Sequence, residues 1–345
     1  MSSLRALSSR WLRSLRTPAA FFRLTLVTVA LTWVIIPSGG LVRLTSSGLG
    51  CPDWPLCDGG VVPATAGHPW IEFTNRMLSG VVGAVALGTW ILARRLPGGP
   101  PAQKRGAAGL AIATVAQVPL GAVTVLSGLH PLAVGSHFLL SMIALALATM
   151  LALRAWDWRL DRVRGWDRRR GPLAGVVALA AAVVLCSGVV VTAAGPHSGD
   201  DDVTKRFGDL LLALQVHVRF AVGFLLLAAV LVAWVWREGG VDTLTVRLTA
   251  LALPLVALQI GIGEYQYRHG LPWQVVTMHV STAALVWAVI LAACWGVARP
   301  VLARRPEDDY GRREATLWQG TQRTESGSAL NRPSGISAPQ STQIP

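Results

Sequence analysis

The sequence predicts an all-α, polytopic membrane protein with eight transmembrane helices arranged as two parallel-repeat four-helix bundles. Of its 345 residues, 52% are hydrophobic and only 14% are charged, whereas soluble domains carry about 25% charged residues. The apolar residues lie in eight runs, each close to the length of about 20 residues that a membrane span requires. Most of the Arg residues lie in short segments between these runs, which is typical of membrane topology.

The same composition excludes several other classes of protein. The high hydrophobic content excludes an intrinsically disordered chain and a collagen-like fibre. Four Cys in 345 residues are too few for a disulfide-rich secreted scaffold. The net charge of +13 comes from 29 Arg and 2 Lys that cluster between the apolar runs, so it indicates membrane topology and predicts no nucleic-acid partner.

The predicted spans follow one another with short connections, and their flanking charges orient them. Arg clusters precede span 1, separate span 2 from 3 and span 4 from 5, and follow span 8. Because basic loops stay in the cytoplasm, both termini are predicted to be cytoplasmic in the cell (plasma) membrane. No small-residue cleavage site follows span 1, so it is not a cleaved signal peptide. The spans are 20–42, 70–93, 107–127, 132–153, 173–194, 208–236, 247–265 and 273–298.

The chain aligns with itself at an offset of 142 residues, which corresponds to four spans. An even number of spans makes the two halves, 20–156 and 172–300, parallel repeats joined by a cytoplasmic segment, 157–171. Matched His, Gln and Gly residues are harder to explain by shared hydropathy than matched Leu or Ala. A basic N-terminus covers 1–19, and a polar tail predicted to be disordered covers 301–345. The matched pairs are Gln117 with Gln259, Gly121 with Gly263, His137 with His279, and Asn75 with His217.

Three of the seven His residues lie inside predicted spans. They are His137, His217 and His279, in spans 4, 6 and 8 and at similar depth. An ionisable residue at membrane depth is costly and indicates a functional site. His217 and His279 belong to one half, where two imidazoles facing each other across a bundle can hold a haem iron from both sides. The alternatives are a His hydrogen-bonded between helices and a zinc site, which would require a third ligand.

The corresponding pair in the first half is Asn75 and His137, which gives one clear iron ligand and an open face. Glu72 lies one turn before Asn75 on the same helix face. A carboxylate there can relay protons or stabilise developing positive charge. Arg76 can bind a haem propionate. The alternative is that Glu72 and Arg76 form an ordinary ion pair at the membrane interface.

The first outer loop contains Cys51 and Cys57 among several Pro and Gly residues. Because this loop is predicted to face the oxidising side of the membrane, a disulfide between them is favoured. It is either a structural staple or a redox-active pair beside the first-half site. Cys186 and Cys294 lie within spans and read as small apolar residues.

These residues resemble the haem A synthase family of bacteria and mitochondria. The likeness rests on Gly-Leu-Val-Arg-Leu-Thr-x-Ser-Gly-Leu-Gly-Cys-Pro-Asp-Trp-Pro-Leu-Cys, on Glu72-x-x-Asn75-Arg76, and on the three intramembrane His. The resemblance implies an eight-span oxidoreductase that converts the C8 methyl group of haem O to a formyl group by successive hydroxylations. The product, haem A, serves terminal oxidases. Two rival functions remain: a dihaem b-type electron carrier that uses quinone, and a haem transporter or chaperone.

The resemblance also implies roles for individual residues. His217 and His279 would ligate a haem b cofactor, His137 would ligate the substrate haem, and Glu72 would be catalytic. Arg76 would contribute to substrate haem binding. Asn75 departs from the family pattern, which usually has His there, so the sixth ligand position is open or is filled by His68 or His130.

The resemblance implies several partners. They are haem O, the lipid bilayer, a haem O synthase, oxidase assembly factors and an unidentified electron acceptor. Whether the chain forms a homo-oligomer stays open.

Overall fold

The computed structural model describes residues 17–197, 199–200 and 208–304. Within these ranges, eight helices are long and apolar enough to cross a membrane, and each predicted span coincides with one of them. The predicted all-α, eight-span fold is therefore confirmed. The helices are α1 (Pro18–Leu44), α2 (His68–Arg95), α3 (Pro101–Leu126), α4 (Pro131–Arg159), α5 (Arg170–Ala194), α6 (Leu210–Glu238), α7 (Thr243–Arg268) and α8 (Trp273–Ala298), and the strands are β1 (Arg162–Arg164) and β2 (Val301–Arg304).

The helix starts follow local sequence signals. Thr17 caps α1 by accepting a hydrogen bond from the Ala20 amide at 3.2 Å, and Asp209 caps α6 by accepting one from the Leu212 amide at 2.7 Å. Such caps satisfy amides that have no partner in the first helical turn. Helices α1 to α4 each carry Pro in this turn, where the missing amide hydrogen costs nothing.

Each half of the chain forms a ring of four helices. In the first half α1 packs on α2 and α4, and α3 packs on α2 and α4. In the second half α5 packs on α6 and α8, and α7 packs on α6 and α8. The helices α2 and α4 are therefore diagonal partners, as are α6 and α8. This is the arrangement in which side chains of a diagonal pair meet in the centre of a bundle.

The two rings share an interface made by α1, α4, α5 and α8. Two indole groups link the halves across it. The Trp33 indole nitrogen donates to the Ser281 carbonyl oxygen at 3.0 Å, and the Trp287 indole nitrogen donates to the Met142 carbonyl oxygen at 2.9 Å. Residues 1–302 form one compact unit, and of residues 303–345 only Ala303 and Arg304 are described. The predicted division into halves, 20–156 and 172–300, stays a prediction.

One end of the molecule, here named the Arg164 end, carries the segment that connects the two halves. Strand β1 in this segment pairs with β2. The Arg164 guanidinium lies 2.7 Å from the Asp157 carboxylate and 3.0 Å from the Asp242 carboxylate. Burial lowers the pKa of Arg164, but the two carboxylates outweigh it and hold that pKa above its ordinary value. The predicted segments 1–19 and 301–345 fall largely outside the described residues.

The opposite end, named the Cys51 end, has a different interior. In both rings the buried apolar clusters lie toward the Arg164 end. Within α6, which is described throughout, no apolar residue between Ala213 and Phe224 is buried, and within α8 none before Ala284 is buried. The centre of the second ring is therefore not filled by its own apolar side chains at the level of the intramembrane His residues. Protein cores are normally close-packed, so this level is the place for a ligand.

Candidate haem sites and the disulfide loop

The pair His217 and His279 lies on the diagonal helices α6 and α8. The two imidazoles are close enough to interact electrostatically. Each ring lies against a glycine of the preceding helix. A Cβ atom on Gly188 would approach the His217 Cε1 atom to 3.2 Å, and one on Gly263 would approach the His279 Cε1 atom to 3.1 Å. These glycines let the rings pack flat against the helix backbone.

Hydrogen bonds fix both rings of the second half. The Ser187 hydroxyl lies 2.9 Å from the His217 Nδ1 atom. The Gln259 amide nitrogen lies 3.2 Å from the His279 Nδ1 atom and also donates to the His279 carbonyl oxygen at 3.0 Å. Ligating imidazoles usually have such a partner on the nitrogen that does not bind the metal.

The first half repeats this arrangement with different polar groups. A Cβ atom on Gly121 would lie 3.5 Å from the His137 Cε1 atom. Among the described residues, the buried His137 Nδ1 atom has no hydrogen-bond partner. Across the ring, the Asn75 side-chain oxygen accepts a hydrogen bond from the Ser38 hydroxyl at 2.9 Å. A Cβ atom on Gly39 would meet nothing within 4 Å, so space that an imidazole occupies in the second half is open here.

Glu72 is buried at the Cys51 end of α2, with 4% of its surface exposed. One carboxylate oxygen accepts the Cys51 backbone amide hydrogen at 2.8 Å. The other accepts the Arg76 Nε hydrogen at 3.0 Å. Glu72 is therefore the point where the helix, the guanidinium and the first loop meet, one turn from Asn75.

The first loop contains the disulfide between Cys51 and Cys57, which confirms the pairing that the sequence favours. Besides Glu72, Arg76 donates to the Cys51 carbonyl oxygen at 2.8 Å and to the Leu56 carbonyl oxygen at 3.0 Å. These bonds hold the loop onto α2. They also use most of the donors that the sequence analysis assigned to a haem propionate.

Other bonds shape this loop and join it to the second half. The Asp53 carboxylate accepts the backbone amide hydrogens of Gly59 and Asp58. The bond from Gly59 is the largest cause that holds the pKa of Asp53 below its ordinary value. The Gly48 amide donates to the Gly199 carbonyl oxygen at 2.8 Å. The loop therefore lies over both rings.

The other His residues lie away from the centres of the rings. His68 is exposed at the start of α2, and its Nδ1 atom lies 2.8 Å from the Ser47 hydroxyl. The His130 Nδ1 atom accepts the Leu132 amide hydrogen at the start of α4. Both have local partners that hold them away from Asn75. His197 contacts the Leu271 carbonyl oxygen at 3.1 Å.

The residues of the second half fit a haem by the observations above. Two imidazoles approach one unfilled level of the bundle from diagonal helices, and each is backed by a glycine. A planar, apolar macrocycle suits such a space, with axial ligands above and below. The part of the chain that the structure describes holds no group of three or more His, Cys, Asp or Glu residues that could bind a metal ion.

One repeated feature is visible only with the structure in hand. The dipeptide Ser38-Gly39 in α1 recurs as Ser187-Gly188 in α5, and each Ser bonds the polar residue of the next helix. The two dipeptides are 149 positions apart, whereas the other matches share an offset of 142. The connection between the first two helices is longer or shorter in the two halves, which hides the match. The repeated Ser-Gly pair was the signal that could have revealed it.

Comparison with known proteins agrees with these sites. "Heme A synthase" of Shewanella oneidensis is 26% identical over 306 residues, which cover 75% of this chain and 91% of that protein. "Heme A synthase" of Halalkalibacterium halodurans is 28% identical over 61% of this chain and 74% of its own length. "Heme A synthase" of Bacillus licheniformis is 33% identical over 38% of this chain and 44% of its own length.

The family model that matches covers most of the membrane region. It is described as COX15-CtaA, cytochrome oxidase assembly protein, and it matches residues 22–291. This range contains every intramembrane His, Glu72 and the disulfide loop. The resemblance to haem A synthases drawn from the sequence motifs is thereby confirmed. The chain belongs to the COX15-CtaA family of cytochrome oxidase assembly proteins.

Proposed function

We propose that this protein is a haem A synthase, an oxidoreductase that converts the C8 methyl group of haem O to the formyl group of haem A. The observation that carries the proposal is the position of Glu72. This buried carboxylate lies one turn from Asn75, in the ring whose diagonal helix carries His137. The names of the relatives support the same activity.

The second ring is proposed to hold haem b. His217 and His279 would be its axial ligands, and the glycines behind them would leave room for both rings. When bound there, haem b supplies one-electron redox chemistry and thereby links the substrate site to an unidentified electron acceptor. The protein contributes a dry interior, two fixed imidazoles and the hydrogen bonds of Ser187 and Gln259.

The first ring is proposed to hold the substrate, haem O. His137 would bind its iron on one side, and Asn75 would leave the other side without an imidazole. The reaction consists of two hydroxylations of one carbon, each a two-electron oxidation that inserts one oxygen atom. The first gives a hydroxymethyl group, and the second gives a hydrate that loses water to leave the formyl group.

Glu72 is proposed to act on the carbon that is oxidised. Its carboxyl group is held by the Cys51 amide and by Arg76, so its orientation is fixed before substrate binds. A fixed carboxyl group can accept a proton from the reacting centre or stabilise positive charge that develops there. Arg76 would act mainly by holding Glu72 and the loop, and its remaining donor could reach a propionate.

The protein is proposed to lie in the cell membrane with the Arg164 end and both termini in the cytoplasm. The basic segments at that end support this orientation. The Cys51 end would then face outward, where a disulfide persists. Haem O synthase would supply the substrate, and oxidase assembly factors would receive haem A.

The decisive experiment is chromatography of haems extracted from membranes that contain this chain together with a haem O synthase. We expect haem A, its hydroxymethyl precursor, or both. The control is the same membranes without this chain, which should contain haem O and haem B only. If folded, haem-loaded protein yields no oxidised haem, the electron carrier and the transporter become the better readings, and Asn75 is the first residue to examine.

A further inference from the structure

The Nδ1 atom of His217 begins a short hydrogen-bonded chain inside the second ring. It lies 2.9 Å from the Ser187 hydroxyl oxygen. That hydroxyl in turn donates its hydrogen to the Val184 carbonyl oxygen at 2.9 Å. Ser187 is buried, so water does not compete for these bonds.

The bond to Val184 fixes the direction of this chain. A hydroxyl group has one hydrogen to donate, and the Val184 carbonyl receives it. The Ser187 oxygen must therefore accept from His217, which places a hydrogen on Nδ1. The neutral imidazole then has its free electron pair on Nε2, the atom that can bind a metal.

We propose that Ser187 is a positioning residue that holds His217 in the tautomer that binds iron and tunes the haem b held there. This inference rests on the haem b site proposed above. A hydrogen-bond acceptor on Nδ1 makes the imidazole a stronger electron donor and restricts its rotation. A stronger donor favours ferric over ferrous iron, so Ser187 lowers the reduction potential and slows the loss of haem.

The first ring offers a matched comparison within the same chain. Ser38 occupies the corresponding place in α1 but contacts Asn75 at 2.9 Å, and an amide is a poor ligand for iron. The other first-ring residue, His137, has a buried Nδ1 atom without a hydrogen-bond partner in the described part of the chain. Removal of Ser38 therefore leaves every histidine contact unchanged.

The test uses the full-length chain purified with its haem, as wild type and as Ser187→Ala, Ser187→Thr and Ser38→Ala. The measurements are the midpoint potential of the low-spin haem, the electron paramagnetic resonance spectrum of its ferric form, and the rate of haem transfer to apomyoglobin. In Ser187→Ala we expect a higher midpoint potential, altered g-values and about tenfold faster haem loss. Ser187→Thr keeps the hydroxyl and should restore the wild-type values, and Ser38→Ala should match wild type.

The outcomes separate this inference from the proposal on which it rests. A wild-type chain without any low-spin haem would overturn the haem b site and this inference together. A wild-type chain with low-spin haem, but with the same potential and spectrum in Ser187→Ala, would overturn the role of Ser187 alone. If Ser187→Ala does not fold, Ser187→Cys replaces it. Sulfur is a weaker acceptor, so an unchanged potential in that variant would equally overturn the role.

Discussion

The two rings of this protein share one framework and differ in the polar groups placed inside it. Each has a diagonal pair of helices that carry the intramembrane polar residues, and a glycine lies behind each His. In the second ring the pair is His217 and His279. In the first ring Asn75 replaces one His. At the repeat offset of 142 residues, Glu72 and Arg76 correspond to Leu214 and Val218.

This difference suggests how a duplicated bundle comes to hold two kinds of site. The second ring offers two imidazoles and, at the positions of Glu72 and Arg76, only apolar side chains, which suits a cofactor that exchanges electrons. The first ring offers one imidazole and a buried carboxylate held by a loop of its own. That arrangement suits a molecule on which chemistry is carried out. The predictions below test this division of roles.

The largest expected effect is on turnover when Glu72 is changed. Glu72→Gln keeps the shape of the side chain but removes its charge and its basicity. We expect the conversion of haem O to fall about 10²–10⁴-fold, while both rings keep their haem. The assay is chromatography of extracted haems from membranes that also contain a haem O synthase.

The chain provides a matched control for this change. Glu264 pairs with Arg268 in the same four-residue spacing as Glu72 with Arg76, but it is exposed on α7. Glu264→Gln should leave conversion unchanged. Normal conversion in Glu72→Gln would remove Glu72 from the proposed chemistry and leave its contacts with the loop as its role.

The second prediction separates the rings by haem content. His279→Ala removes one proposed axial ligand, so the second ring should lose most of its haem b, because a single imidazole holds the iron weakly. The measurement is haem per protein and the low-spin spectrum of the purified chain. His269→Ala, at the exposed end of α7, is the control. A wild-type low-spin spectrum in His279→Ala would contradict the ligand assignment.

Much of this comparison was accessible from the sequence, since it depends on periodicity and on costly residues. Hydropathy located all eight helices, and the offset of 142 residues paired His137 with His279 and Asn75 with His217. The packing that makes α6 and α8 diagonal partners then followed from the four-helix arrangement. The disulfide followed from two Cys in one outward loop.

The remaining features depend on contacts that leave no periodic trace. Nothing in the sequence shows that the Cys51 amide reaches Glu72, because that bond joins a loop backbone to a helix 21 positions away. The role of Arg76 in binding the Cys51 and Leu56 carbonyl oxygens is hidden for the same reason. A side chain can be recognised in a motif, but its partner on a backbone cannot.

The third prediction tests the glycines behind the rings. Gly188→Val places a side chain against His217, since its Cβ atom alone would come within 3.2 Å of the imidazole. We expect a clear loss of haem b, by about the tenfold typical of misplaced metal ligands. Gly39→Val, at the corresponding position of the first ring, meets open space and should retain its haem. Equal haem loss in both variants would show that valine disturbs the helices and not the imidazole.

The fourth prediction converts the first site toward the second. Asn75→His should fit, because Gly39 leaves open space and the Ser38 hydroxyl can bond the new imidazole as Ser187 bonds His217. The substrate haem should then gain a second axial His and change from high-spin to low-spin iron, visible by electron paramagnetic resonance. Asn75→Gln is the control, and it should keep the wild-type spin state. An unchanged spin state in Asn75→His would mean that the residue does not face the iron.

The smallest effect concerns the loop that only the first ring possesses. The pKa of Asp53 lies below its ordinary value because the Gly59 and Asp58 amides donate to its carboxylate. Its stabilisation of the loop is therefore complete above the ordinary pKa of about 3.9 and is lost as pH falls through the lower, folded-state pKa. We expect Asp53→Asn to speed reduction of the disulfide by a phosphine severalfold at neutral pH.

The pH dependence of that rate distinguishes this bonding from a general effect of charge. The gap between Asp53→Asn and wild type should close as pH falls below the folded-state pKa, because the wild-type carboxylate is then protonated as well. Asp58→Asn removes the same charge but keeps both amide bonds to Asp53, so it should match wild type at every pH. If Asp58→Asn also speeds reduction, net charge controls access to the disulfide. The loop would then owe its order to Arg76 and Glu72, and the first ring would depend on those two residues alone to present its carboxylate.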